Sequence, residues 1–358
     1  MPPHLAGREE EQSELRGVLA DLAEGIPPRA EILLYGPRGN GKTVLLRWVE
    51  QEVASCPPVE VVRLRPATIP EEVRLAERLL PASWWERLAP NETKLAGFSW
   101  RPGQENPPPL DEVLQARTRK NAFVLLLDEA HTLDLTVGRL LLNASELVGR
   151  ELPFLLVLAG TPNLETHLNR MGASFSGRAE QLRIDRLDPE ATRAAVREPF
   201  TLADVGVTDD ALEEMVRLSQ GYPFFIQLLG DAVWRAGPGQ DDSLAVVDRA
   251  VVDAGVARFE HGKGQYYANR LEELDRRRLA GVGRAVAEAF VGRGVLTFEE
   301  LNAGIRSALG AEADHERVVA VRDSLRDLGY IWRLGPRPEW EPGIPSLMDY
   351  VREFAPAP

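Results

Sequence analysis

The chain has one cysteine, Cys56, in 358 residues, so no disulfide can close within it. That excludes the stapled architecture of small secreted domains and suits a reducing cytoplasm. Long apolar runs are missing too. The longest, 123–127 and 154–159, fall far short of the roughly 20 residues a membrane helix needs, so no membrane contact is expected. Residues 1–14 are polar and acidic, which is not the pattern expected of a signal peptide. Basic charge is in deficit: 42 Lys and Arg face 55 Asp and Glu, a net charge of −13. A chain this acidic does not coat nucleic acid, so any such contact must come from a local patch. Neither an internal repeat nor a low-complexity tract occurs.

What is present is an ordinary globular composition, 44% apolar and 27% charged, long enough for two or three domains. Leu15, Val18, Leu19 and Leu22 recur at helical spacing, and Pro27-Pro28 ends that helix. Residues 31–35 are a short β-rich run before a glycine loop, 43–54 a helix and 59–64 a second strand. The uninterrupted apolar runs at 123–127 and 154–159 are the pattern of strands buried on both faces; 182–184 is a weaker fifth. Strands alternating with helices imply an α/β fold with a doubly wound parallel sheet. Residues 66–110 read as an irregular insertion with one helix near 71–80. It carries Trp84, Trp85, Trp100 and the run Pro107-Pro108-Pro109, and its tryptophans either pack locally or meet a partner.

The glycine loop carries the chemistry. Gly36-Pro37-Arg38-Gly39-Asn40-Gly41-Lys42-Thr43 fits the phosphate-loop pattern G-x-x-x-x-G-K-[ST] in full. Glycines let the backbone curl until successive N–H groups point at phosphate oxygens, and the helix that follows adds its positive end. Lys42 is expected on the β- and γ-phosphates and Thr43 on Mg²⁺, with Val44 also counted among the nucleotide-binding residues. The apolar run 123–127 ends in Asp128-Glu129. A carboxylate at that strand tip suits a metal-bound water, and Glu129 is placed to orient and deprotonate an attacking water. His131 reads as the cap of the next helix, with a phosphate-side contact as the alternative. No N-K-x-D run is present, which argues for ATP rather than GTP.

Residues 188–255 are helical in pattern, with stops at Gly206, Gly221 and Gly237-Pro238-Gly239. A helix is expected over 276–290. Thr297 to Glu300 forms a capping box for a second, and Asp314 caps a third with Val318, Val321, Leu325 and Leu328 inward. Residues 330–341 then read as a hairpin. Three helices followed by a hairpin are the order of a winged helix. The expected division is an ATPase core at 1–186, a helical lid at 187–256 and a winged helix at 257–358.

These motifs resemble those of AAA+ and STAND P-loop ATPases, above all the branch of archaeal-type ATPases and origin-recognition initiators. Leu5-Ala6-Gly7-Arg8-Glu9-Glu10-Glu11 is similar to that branch's N-terminal element, which implies Arg8 near the adenine. Gly160-Thr161-Pro162-Asn163 resembles the sensor that follows strand four. The resemblance puts Thr161 against the γ-phosphate, with Asn163 as the alternative. It also makes Arg178, after Phe175-Ser176-Gly177, a candidate arginine finger, and Pro223 in Gly221-Tyr222-Pro223 part of the lid's nucleotide element. Residues 344–350 fit the group's C-terminal winged helix. One departure is plain: Pro223 and Phe224 stand where initiators usually carry a second sensor arginine. That favours a nucleotide switch over a ring-forming motor.

Two functions follow as expectations: a slow, partner-stimulated ATPase switch, or a DNA-binding adaptor for which ATP is an assembly signal. Arg317, Arg322 and Arg326 of the third C-terminal helix alternate with Glu316, Asp323 and Asp327, and Trp332, Arg333, Arg337 and Trp340 lie on the hairpin. Charge nearly balances there, which permits duplex DNA, a protein partner or a second copy of the chain.

Overall fold

The computed structural model describes residues 5–69, 71–79, 93–95, 98–100, 109–172, 178–237, 245–333 and 339–357. Trp84, Trp85, Pro107, Pro108, residues 175–177 and Arg337 lie outside them. The chain divides into two units.

The first unit, Arg8–Gly36 with Lys42–Ile184, holds the main sheet. It opens with α1 (Glu9–Ala23), β1 (Ile32–Tyr35), α2 (Lys42–Ala54) and β2 (Glu60–Leu64). In the insertion stand α3 (Glu72–Leu79) and a short antiparallel pair, β3 (Thr93–Leu95) with β4 (Phe98–Trp100). Then come α4 (Leu110–Thr118), β5 (Phe123–Leu127), α5 (Leu135–Gly149), β6 (Phe154–Gly160), α6 (Leu164–Arg170) and β7 (Glu180–Arg183). Five strands pair in parallel in the order β2-β5-β6-β1-β7. β5 and β6 have no polar side chain to offer water, are buried at every residue and lie inside. The edges fall to β2 and β7, whose Glu60, Arg63, Glu180 and Arg183 need solvent or a partner.

Helices cover both faces with leucine and valine. Val113, Leu114, Leu141 and Val148 pack with Leu125 and Leu156 of the strands, each burial giving about 1.5–3 kcal/mol. Arg117 of α4 is buried, and both of its terminal nitrogens find partners. It donates to the Leu79 carbonyl at 2.5 Å and to Glu60 at 3.1 Å, with its guanidinium 4.3 Å from the centre of the Phe123 ring.

Register decides which residues meet. Leu64 faces Leu127, Leu127 faces Leu158, and Tyr35 faces Gly160. The carboxyl ends of β2, β5, β6 and β1 therefore share one edge. The residues that follow them, Arg65, Asp128, Thr161 and Gly36, emerge side by side.

The second unit comprises Asp185–Pro358 together with Pro37–Gly41. Its elements are α7 (Pro189–Thr201), β8 (Gly206–Val207), α8 (Asp209–Ser219), α9 (Pro223–Ala236), β9 (Val246–Val247), α10 (Arg249–Arg276), α11 (Ala280–Ala289), α12 (Phe298–Leu309), α13 (His315–Asp327), β10 (Ile331–Arg333), β11 (Trp340–Pro342) and α14 (Pro345–Phe354). α10 runs unbroken across residues 256–257, where the sequence reading divides lid from C-terminal region. Its Gly255 lies so near the α9 backbone that a Cβ there would sit 3.1 Å from Ala232 and Val233. The helix expected from residue 276 begins instead at Ala280, because Arg278 at φ 58° turns the chain between α10 and α11.

Thr297 and Glu300 form the anticipated capping box, Asp314 accepts the Arg317 amide at 2.7 Å, and Val318, Val321, Leu325 and Leu328 are buried. β10 and β11 pair antiparallel after α11–α13, an order compatible with a winged helix. No helix among the described residues is long and apolar enough to cross a membrane.

Candidate functional site

Gly39 at φ 87° and Gly41 at φ 96° take the left-handed backbone that L side chains avoid, which curls the loop between β1 and α2. Gly36 is needed for another reason: a Cβ there would strike the Ile184 carbonyl beyond β7. At the start of α2, the buried Lys42 turns its ammonium onto the Gly36 carbonyl at 2.7 Å. Thr43 donates its hydroxyl to Asp128 Oδ1 at 3.1 Å. The two halves of the motif, 85 residues apart in sequence, are thus one constellation.

Asp128 is 1% exposed. Its Oδ2 accepts no hydrogen bond, and Arg63 Nη1 and Arg65 Nε each stand 3.8 Å from it. Thr161, following β6, is equally buried, and its hydroxyl has no hydrogen-bond partner. An orphaned carboxylate oxygen and an orphaned hydroxyl, both buried, are costly unless something polar reaches them. Thr43 and Asp128 are oxygen donors of the kind magnesium selects, so the residues fit that ion.

Glu129 adopts a left-handed backbone, φ 58°, unusual for a residue with a side chain. The turn Ala130–Thr132 follows it. His131 was expected to cap the next helix, but Asp134 does so, accepting the Thr136 and Val137 amides at 2.8 and 3.1 Å. His131 instead accepts the Thr161 amide on Nδ1 at 3.3 Å. That acceptance leaves the proton on Nε2, 3.5 Å from Glu129 Oε2. His131 thereby joins the residue after β6 to the residue two after β5.

The sequence of residues 29–168 matches the family model described as an AAA domain. Over that stretch the chain resembles an AAA domain. No curated protein matches the chain. Among solved structures, the Walker-type ATPase of Pyrococcus abyssi is 19% identical with a TM-score of 0.65, covering 97% of this chain and 96% of that one. The ORC2 protein of Aeropyrum pernix, solved with ADPNP and ADP, is 15% identical at TM-score 0.61, over 99% and 96%. The RuvB Holliday junction branch migration motor of Thermotoga maritima is 19% identical at TM-score 0.51, over 98% and 96%. At these identities the likeness is one of fold.

Other anticipated residues fall in different places. Within the matched stretch, Val44 lies half-buried in the first turn of α2. Arg8, just before α1, is buried, with Glu11 at 3.5 Å. Arg178 precedes β7, at the amino-end edge of the sheet, opposite the edge where Lys42, Asp128 and Thr161 meet. There it donates to Glu146 at 2.8 Å and lines a cleft of about 330 Å³ with Arg29, Glu31, Arg150 and Phe154. Arg178 and Arg150 together hold the Glu146 carboxyl below its ordinary range. Arg178 therefore does not join the constellation of its own chain.

Pro37, Arg38 and Asn40 belong to the second unit. There the buried Tyr222 hydroxyl donates to the Arg38 carbonyl and lies over Gly39, where a Cβ would strike it. Tyr222 also bonds Tyr266 at 3.0 Å, and burial pushes its phenol well above the ordinary value. Glu273 of α10 meets Arg38 at 3.2 Å and Arg270 at 2.8 Å. Pro223 sits at the first position of α9, where a missing N–H costs nothing. Within Gly221-Tyr222-Pro223, the tyrosine reaches the loop. Sequence reasoning missed Arg63, Arg65, Tyr222 and Glu273. The first two, two apart on one face of a strand, are the pair whose pattern was readable.

Proposed function

We propose that this chain binds ATP at Gly36–Thr43, hydrolyses it slowly and passes its nucleotide state to a partner. One observation carries the reading: Thr43 and Asp128 are joined, while Asp128 Oδ2 and the Thr161 hydroxyl are buried and open beside them. The loop amides and Lys42 hold the phosphates. Thr43 and Asp128 hold magnesium, which supplies positive charge against the phosphate oxygens. Thr161 donates its hydroxyl to the terminal phosphate. Glu129 orients the attacking water and takes its proton, and His131 fixes the carboxylate in place. Arg178, at the far edge of the sheet, contributes nothing to its own site, which supports slow turnover until a partner or a second copy supplies the missing charge.

The partner read best from this chain is a protein. In α13 the Arg322 guanidinium lies 4.9 Å from the centre of the Phe298 ring with Asp323 3.7 Å away, and Arg326 lies within 4.0 Å of Asp323 and Asp327. Those cations are engaged within the fold. Duplex DNA remains the alternative that the helix order suggests.

Steady-state ATP hydrolysis tests the site. Lys42→Ala should lose nucleotide affinity. Glu129→Gln should keep ATP bound while turnover falls by on the order of 100-fold or more. Unchanged hydrolysis in both variants would remove the assignment.

A further inference from the structure

Arg65 has no part in the chemistry assigned above. It follows β2 directly and emerges on the edge shared by Gly36, Asp128 and Thr161. Its backbone is fixed, because the Arg65 carbonyl accepts the Thr68 amide at 2.9 Å and the Thr68 hydroxyl at 2.7 Å. Its side chain is 57% exposed, and Asp128, at 3.8 Å, is its ion-pair partner among the described residues.

Arg63 is the useful contrast. It lies two residues earlier on the same strand face and also stands 3.8 Å from Asp128. A second carboxylate, Glu50 of α2, tethers it at 3.0 Å, and it is 22% exposed. Two guanidiniums thus converge on the one carboxylate that the proposed function gives to magnesium. With a metal–nucleotide complex bound, both would face a new divalent charge at close range. Arg63 has Glu50 to hold it, whereas among the described residues Arg65 has only Asp128. On that edge the strongest new anion is the terminal phosphate. Arginine suits it, with a planar fork that bonds two phosphate oxygens at once.

The geometry points to Arg65 as a binding residue for the terminal phosphate, supplied by the chain's own β2 edge, that makes the site favour ATP over ADP. In the nucleotide-free state it neutralises Asp128. In the ATP state it bonds the γ-phosphate. In the ADP state it has no phosphate to reach. This rests on the ATP reading above, and the test separates the two.

Calorimetric titration of the full chain with ATP and with ADP, in magnesium and on the Glu129→Gln background to prevent turnover, is the measurement. Arg65→Ala and the longer Arg65→Gln should each lose about tenfold in ATP affinity, the range of a charge-assisted bond, with ADP affinity unchanged. Arg65 is exposed, so both variants should melt as the parent does. Equal losses for ATP and ADP, or no loss for either, would overturn the proposal and leave Arg65 as a charge partner of Asp128. If the parent binds neither nucleotide, the ATP reading itself fails and Arg65 falls with it.

Discussion

His131 sits where hydrogen-bond direction has chemical consequences. The Thr161 amide can only donate, so Nδ1 must accept and Nε2 must carry the proton toward Glu129. A glutamate that has to hold water at a phosphate gains little from being merely nearby, since small misplacements are costly in rate. Glu129 is also half-exposed and on strained backbone, two reasons for its side chain to wander without a partner. His131→Ala should therefore lower ATP turnover on the order of 10- to 100-fold, with ATP affinity little changed. Turnover and binding measured on the same preparation decide it. A loss of affinity at unchanged turnover would mean instead that His131 touches the nucleotide.

At the scale of elements, α1 and β7 meet through two carboxyl groups. Glu14 bonds Glu180, and that shared bond first, burial second, pushes the Glu14 pKa up to about 7. A carboxyl raised in the folded state binds more protons there than in the unfolded chain. Its contribution is fully present below about 4.5 and is lost as pH rises through about 7. The melting temperature should fall over that window more in the parent than in Glu14→Gln, whose amide donates at every pH. The effect is small, because the group is largely solvated. Parallel melting curves from pH 4.5 to 8 would show that the bond contributes nothing.

The same scale explains what sequence could and could not convey. β5 and β6 were legible because an uninterrupted apolar run has one use, and the phosphate loop because its ligands are contiguous. β7 was faint: as an edge strand it buries Leu182 and leaves Glu180 and Gln181 exposed. α10 was hidden because the sequence reading ends one helical region at residue 255 and divides the domains at 256–257, inside this helix. Gly255 is kept by its close approach to α9 and Gly262 by Leu228, whose nearest atom would lie 3.0 Å from a Cβ there. Tyr222 and Glu273 acquire their roles through tertiary contact, which no local pattern encodes. Arg178, a candidate arginine finger by resemblance, stands at the edge opposite its own phosphate loop, so a finger role for it would be toward a neighbouring copy.

Across the whole molecule, charge decides which partner the C-terminal region can hold. A net charge of −13 repels a polyanion at long range, so duplex binding would need a cationic surface strong enough to overcome it. α13 does not supply one. Arg322 is turned inward, its side chain 13% exposed, and burial pushes its guanidinium pKa down. Arg326 is similarly enclosed, at 21%. A phosphate contact would have to pull both away from Asp323 and Phe298. Fluorescence anisotropy of labelled duplex DNA at low salt should accordingly show binding no tighter than about 10⁻⁴ M, the weak end of non-specific association. ATP turnover should be indifferent to the same DNA. Submicromolar binding would reverse this conclusion if its logarithm fell linearly with log salt concentration. The slope would then count the phosphates engaged, and duplex-stimulated hydrolysis would make DNA the partner that the nucleotide state controls.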